Sequence, residues 1–371
     1  MSNRKINICI IAEYLSYVGG GERVYISWAN MFTEILGYNV TIAAMEDCDK
    51  TFYRVSNKVN IHSLKLRKYQ FYNNSFDRRL SMITNFAHDR KVIEEYINKH
   101  QFDVIIGIAT NINLILSTIN FPAGKIATEH TEYYAPPIFI RAIRKILYKN
   151  FDIVTALNTD DVNLFKKINP NTTIAINPVE LNTIYKSSEL THKTIISIGS
   201  LSPQKNQKQM IDIMKLVHEK YPDWNLIIYG DGPLRDELKH YLQLNSCESF
   251  IKLAGVTNDV YSKLANSSIF ILTSKVEGFG LVIAEAMSVG LPCVCFDALG
   301  PKMLIKHGVN GYLISMGNCE DFCNRICELI ENFELRRSMG HNAYIHSKNY
   351  SIDHVAKQWS ELIESTIKEK N

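Results

Sequence analysis

No apolar run in the sequence approaches the ~20 residues a helix needs to cross a bilayer, and residues 1–5 lead straight into a short strand-like run at 6–11. Neither a spanning anchor nor a secretory leader is therefore expected. Low-complexity tracts and short repeats are missing too. Charge of one sign is scarce in excess: the formal net charge is only +3, and with no recognised nucleic-acid module the chain gives no reason to expect nucleic acid as a partner. Paired cysteines are lacking. Of Cys9, Cys48, Cys247, Cys293, Cys295, Cys319, Cys323 and Cys327, three (Cys9, Cys293, Cys295) sit in apolar, strand-like runs, and the last three recur every four residues along one helix face. No Cys-x2-Cys spacing or adjacent histidine marks a zinc site. The thiols read as small buried hydrophobes in a reducing, cytoplasmic, soluble or peripheral protein. The Gly-x-Gly-x-x-Gly fingerprint of dinucleotide folds and the Gly-Lys-Ser/Thr of a P-loop are also missing, which disfavours a dehydrogenase.

What is present is a regular alternation. The length of 371 residues suits two domains. Near-continuous apolar strands at 5–12, 39–44, 103–108, 125–129, 152–157 and 173–176 alternate with helical stretches that include 22–36 and 77–99. A polar stretch without periodicity, 178–193, reads as the linker. The alternation resumes with strands at 194–197, 225–229, 250–254, 269–273, 292–296 and 312–314, and ends on an amphipathic helix at 352–367 that carries Val355, Trp359, Leu362 and Ile363 on one stripe. Such strands imply parallel sheets covered on both faces. The expectation is two doubly wound Rossmann-like α/β domains, 1–177 and 194–350, facing across a cleft. Ligands of such sheets bind at the carboxyl ends of the strands.

Three motifs sit at such ends. Gly19-Gly20-Gly21-Glu22-Arg23 opens a helix after the first strand, where glycines permit close backbone approach and the helix start favours phosphate; a plain glycine turn explains it equally well. Gly199-Ser200-Leu201-Ser202-Pro203-Gln204-Lys205-Asn206 follows the first strand of the second domain, and Lys205 stands where a lysine can neutralise a diphosphate. Glu277-Gly278-Phe279-Gly280-Leu281-Val282-Ile283-Ala284-Glu285 enters a helix after strand 269–273. Its Gly280 and Leu281 amides face an anion at the helix start, and its two carboxylates, just over two turns apart, can accept hydrogen bonds from sugar hydroxyls. A bare carboxylate at Glu285, among Val282, Ile283, Ala284, Ala286 and Met287, would be costly.

With Gly230-Asp231-Gly232-Pro233-Leu234, Gly290-Leu291-Pro292, Gly300-Pro301 and Asn310-Gly311-Tyr312-Leu313, these motifs resemble the family-four retaining glycosyltransferases (glycosyltransferase group 1, of GT-B fold). The resemblance is dense over 197–314 and looser before it. It implies that residues 351–371 pack back on the N-terminal domain as the crossing helix. It implies further that Glu285 binds the donor ribose, that Glu277 contacts the donor sugar, and that Gly280 and Leu281 with Lys205 hold the diphosphate. Gly19 and Gly20 would close on the phosphate, Gly255 and Val256 would frame the base, and His130 would reach the sugar. Glu129 and Glu132 stand close enough in sequence to tune the His130 charge. Ser200 departs from the family, many of whose members carry arginine there. The implied activity is retaining, metal-independent transfer of a hexose or N-acetylhexosamine from a nucleotide diphosphate sugar, UDP-linked in view of the family's commonest donor, to a lipid-linked or polysaccharide acceptor. No cofactor or metal is expected; Asp47-Cys48-Asp49 is read as a loop acid pair. A nucleotide-sugar epimerase or phosphorylase on the same fold, and a non-catalytic module binding nucleotide sugar or membrane, are the alternatives.

Basic residues cluster in the N-terminal half, ten of them between Lys50 and Lys91 against Asp77 and Asp89, with aromatics interleaved. Lys65, Arg67, Lys68, Arg78 and Arg79, with Arg141, Arg144 and Lys145 of a second run, form a candidate surface for an acceptor or an anionic membrane; a solvated charged face explains them as well.

Overall fold

A computed structural model of the chain describes residues 4–16, 20–46, 51–67, 75–179 and 187–368, with the side chains of 67–84 outside the description. The chain divides into two compact units, residues 1–178 with 352–371, and residues 179–351.

In the first unit, β1 (Asn7–Ala12), β2 (Asn39–Glu46), β3 (Asn60–Arg67), β4 (Val104–Ile108), β5 (Gly124–Thr128), β6 (Ile153–Ala156) and β7 (Thr172–Ile174) form one sheet in the order β3-β2-β1-β4-β5-β6-β7. Every pairing is parallel. The helices are α1 (Gly20–Glu34), α2 (Ser75–Lys99), α3 (Ala109–Leu116), α4 (Ile138–Leu147) and α5 (Thr159–Lys166). Ile8 to Ile11 of β1 are fully buried, which is why that strand reads as an unbroken apolar run. Chain order reverses between β1 and β4, so their carboxyl ends flank a topological switch point. β3 is absent from the sequence-predicted strands. It is an edge strand whose polar and apolar residues alternate (NIHSLKLR), and its ladder with β2 slips between Ala44 and Glu46.

In the second unit, β8 (Thr194–Ile198), β9 (Asn225–Tyr229), β10 (Ile251–Gly255), β11 (Ile269–Leu272), β12 (Cys293–Phe296) and β13 (Gly311–Ile314) pair in parallel in the order β10-β9-β8-β11-β12-β13. Its helices are α6 (Gln207–Lys220), α7 (Arg235–Leu244), α8 (Val260–Ala265), α9 (Leu281–Ser288), α10 (Leu299–Leu304), α11 (Cys319–Glu331) and α12 (Phe333–Ser347). Cys293, Cys295, Cys323 and Cys327 are buried free thiols, with Cys323 and Cys327 in the core beside Phe322 and Ile326. Val179 bridges Ser351, and its amide bonds the Tyr350 carbonyl at 2.8 Å, so the chain enters and leaves this unit at one place.

The last helix, α13 (Ile352–Lys368), belongs to the first unit. Trp359 is fully buried there, with ring centroids 4.7 Å from Trp28 and 5.4 Å from Phe32 of α1.

Candidate active site

In the second unit the motif loops stand at the carboxyl ends of β8, β9, β10 and β11. The loops after β8 and β9 are joined backbone to backbone. The Gly199 amide bonds the Tyr229 carbonyl at 2.9 Å, and the Leu201 amide bonds the Asp231 carbonyl at 3.0 Å. A Cβ on Gly230, whose φ is +138°, would overlap the Gly199 carbonyl, so only glycine fits. Ser200 is exposed, 3.3 Å from the Ser202 hydroxyl.

Lys205 is fixed from β11. The Thr273 hydroxyl lies 3.1 Å from the carbonyls of both Lys205 and Asn206, and the Lys275 amide donates to the Gln204 carbonyl at 2.8 Å. Asn206 takes a left-handed φ of +56° and starts α6. The Lys205 ammonium donates to the Glu277 carboxylate, both side chains being largely buried. The Glu277 carbonyl accepts the Gly300 amide at 2.8 Å, which ties the loop to α10.

Gly280 caps α9 with φ +85°, and no side chain caps that helix start, whose first turn carries no acidic residue. The leading amides of α9 are therefore available to an anion, and the helix dipole supports one. Glu285 is buried one turn along α9. Gly255 ends β10, its carbonyl accepting the Gly230 amide at 2.8 Å. Val256 beside it is 64% exposed. The structure thus brings Lys205 and Glu277 into contact, and sets Gly280, Leu281 and Glu285 on one helix.

In the first unit, His130 follows β5. The Thr128 hydroxyl donates to the Gly107 carbonyl at 2.8 Å and lies 3.2 Å from His130 Nε2. With its hydrogen committed, that oxygen accepts from Nε2–H, which leaves Nδ1 as an acceptor. The ring packs 5.3 Å from Trp28. Burial alone pushes the imidazole down to about 4. Glu129 and Glu132 do not tune it, contrary to the expectation from their proximity. Glu129 is buried and accepts hydrogen bonds from Thr110 at 2.7 Å, Asn113 at 3.1 Å and the Tyr148 hydroxyl.

Gly20 is exposed, with nothing within 4 Å of an added Cβ. Gly19 lies outside the described residues. Glu46, buried at the end of β2, was missed from sequence. It takes the amides of Leu15 at 2.8 Å and Ser16 at 3.1 Å together with the Ser16 hydroxyl, bracing the loop after β1. An acid at the end of the second strand is what a dinucleotide fold uses for ribose; here the chain's own loop occupies it.

Of the basic residues, Lys65, Lys145 and, in part, Arg141 are exposed. Lys68 is outside the described residues, as are the side chains of Arg67, Arg78 and Arg79, and the pair Asp47 and Asp49. Arg144 does not belong to that surface. It is 0% exposed, donates to the Tyr133 carbonyl at 2.5 Å, lies 3.7 Å from Glu129 and sits over the rings of Tyr133 and Phe165. The buried Glu129 carboxylate and two aromatic faces draw it inward. Among the described residues no cluster of three or more His, Cys, Asp or Glu could hold a metal ion, and no helix is long and apolar enough to cross a membrane.

The family model of glycosyl transferases group 1 matches residues 183–346. A Haemophilus influenzae protein described as an uncharacterized glycosyltransferase is 31% identical over 352 residues, spanning 93% of this chain and 96% of that one. The Campylobacter jejuni GalNAc-alpha-(1->4)-GalNAc-alpha-(1->3)-diNAcBac-PP-undecaprenol alpha-1,4-N-acetyl-D-galactosaminyltransferase is 26% identical over 358 residues, 93% of this chain and 95% of its own. The crystal structure of Anabaena HepE in complex with UDP and glucose shares the fold at a TM-score of 0.75 and 20% identity, covering 97% of this chain and 100% of that one. Two doubly wound sheets, the motif loops at their strand ends and a relative 31% identical along nearly its full length lead to one conclusion: the chain belongs to the group 1 glycosyltransferases.

Proposed function

We propose that this transferase moves a hexose or N-acetylhexosamine from a UDP-sugar to a lipid-linked or polysaccharide acceptor, with retention and without a metal, at the cytoplasmic side of a membrane. The observation that carries the reading is the open, acid-free start of α9 behind Gly280, with the Lys205–Glu277 pair in the loops beside β8 and β11. UDP in HepE and the undecaprenol-linked glycan in the Campylobacter enzyme's name support the donor and acceptor.

Cleavage of the donor's glycosidic phosphate bond builds negative charge on the leaving diphosphate. The α9 amides and Lys205 meet that charge, so they stabilise the transition state more than the ground state. As Lys205 turns to phosphate, the Glu277 carboxylate is released to the sugar. Glu285 holds the ribose hydroxyls, and Gly255 with Val256 frames the base. His130, neutral at pH 7 and with Nδ1 as an acceptor, takes a hydrogen bond from a sugar hydroxyl. Retention follows if the departing phosphate takes the acceptor proton on the face it has just left.

Thermal unfolding against UDP, GDP, ADP, dTDP and NAD, with and without chelator, tests the donor side. Ligand at about a hundred times its dissociation constant adds about 2.7 kcal/mol. A midpoint raised by UDP in chelator is expected; a response to NAD alone, or one that requires added metal, overturns the reading. Product anomers from a subsequent sugar screen test retention.

A further inference from the structure

α4 is amphipathic in the wrong direction for a helix that only covers a core. Its one buried residue is Arg144. Ile138 is 77% exposed and Ile146 71%, and Phe139 and Ile143 are exposed as well. At about 100° per residue, Ile138, Ala142, Ile146, Phe139 and Ile143 sweep one arc of about 140°. Of its apolar residues, Ile140 and Leu147, on the far side, pack against the core, on the same side as the buried Arg144. Tyr134, just before the helix and 61% exposed, lies beneath the Arg141 guanidinium at 5.2 Å.

Charge indicates what covers this face. Between Glu132 and Asp152 the sequence holds no carboxylate, while Arg141, Lys145 and Lys149 carry positive charge along the helix and the turn after it. An apolar arc edged by cations of one sign, with a tyrosine at its margin, complements a bilayer: acyl chains take the arc and anionic headgroups take the rim. Ten residues make about 15 Å of helix, too short to span and suited to lying in the interface.

We propose that α4 inserts its apolar face into an anionic membrane and holds the first unit there. The inference rests on the lipid-linked-acceptor reading for its purpose and extends it: the attachment is apolar insertion, with charge only steering it. It therefore outlasts added salt, which screens the charged part alone.

The full chain is tested with phosphatidylglycerol–phosphatidylcholine vesicles and with phosphatidylcholine alone, without donor or acceptor. Vesicle binding is thereby separated from any failure of the acceptor assignment, which is tested by transfer to a water-soluble acceptor. Co-sedimentation with the anionic vesicles is expected, partly retained in high salt, and lowered about tenfold or more in Ile138→Glu/Ile146→Glu, with the UDP-induced thermal shift unchanged. The native tryptophans Trp28, Trp224 and Trp359 are all buried, so Ile146→Trp adds an isolated reporter that lipids brominated on their acyl chains should quench. No sedimentation, sedimentation without quenching, or unchanged binding in the glutamate variant overturns the proposal. So does a vesicle-free dimer that the glutamates convert to monomer, which would assign the face to a second copy.

Discussion

The ammonium of Lys205 is hydrogen-bonded to the carboxylate of Glu277, joining the turn after β8 to the loop after β11. Each group positions the other in the proposed donor site, so their losses should not multiply. Lys205→Met and Glu277→Gln are each expected to lower kcat roughly 100- to 1000-fold, and the double variant little further. Steady-state kinetics decide it; losses that simply multiply would show two independent groups.

The backbone demands glycine at Gly280 and not at Gly20. Gly280 has φ +85°, and a Cβ there would come within 2.8 Å of Ile283 Cδ1. Gly280→Ala should cost about 1–3 kcal/mol in urea unfolding. Gly20 has open space around it, so Gly20→Ala should change stability by under about 1 kcal/mol and raise the KM for donor instead. Equal destabilisation by both would contradict this division.

Burial pushes His130 down to about 4 from its ordinary 6.5. The unfolded chain therefore takes up this proton at higher pH than the folded one. Above about 6.5 the group has no destabilising effect. As pH falls from about 6.5 to about 4, stability should drop by a total on the order of 3 kcal/mol, and no further from this group below that. Urea midpoints of the native chain and His130→Gln should diverge across that window; parallel curves would place the effect elsewhere.

Glu46→Ala removes the acceptor of two amides and a hydroxyl in the loop after β1. Orphaned buried donors cost about 1–3 kcal/mol each, so the loop should loosen before the sheet does. Hydrogen exchange at Leu15 and Ser16 is expected to speed up by at least tenfold with exchange in β1 unchanged; protection equal to the native chain would remove Glu46 from this role.

Arg144→Met should destabilise by about 3–5 kcal/mol, because Glu129 is left buried without its cation. Lys145→Met, one residue on and exposed, should stay within about 0.5 kcal/mol. Denaturant unfolding of the two variants gives the contrast directly.

The same pair of residues shows where sequence legibility ends. Apolar runs such as NICIIA and CVCF announce buried parallel strands, and the Glu277–Glu285 segment announces its helix start, because both patterns depend on local geometry. Which face of residues 138–147 turns inward is not local. It is decided by Glu129 and by the rings of Tyr133 and Phe165, partners that the fold brings to Arg144. β3 escaped notice because an edge strand needs no unbroken apolar run. Glu46, Thr128 and Thr273 escaped because each serves by bonding backbone or a ring distant in sequence or across a turn, and nothing at their own positions marks them. Glu129 beside His130 was misleading for the opposite reason: adjacent residues at a strand end point to opposite sides.

Trp359 wedged against Trp28 and Phe32 sets an order of events during synthesis. The second unit is complete once residue 351 has emerged, and it can fold while the ribosome is still extending the chain. The first unit, begun earlier, has to wait with an unfilled slot over α1 until α13 arrives. The part made first thus closes last, and a chain released before residues 352–371 were made would leave the Trp359 slot beside Trp28 and Phe32 unfilled, an exposed apolar pocket of the kind chaperones retain.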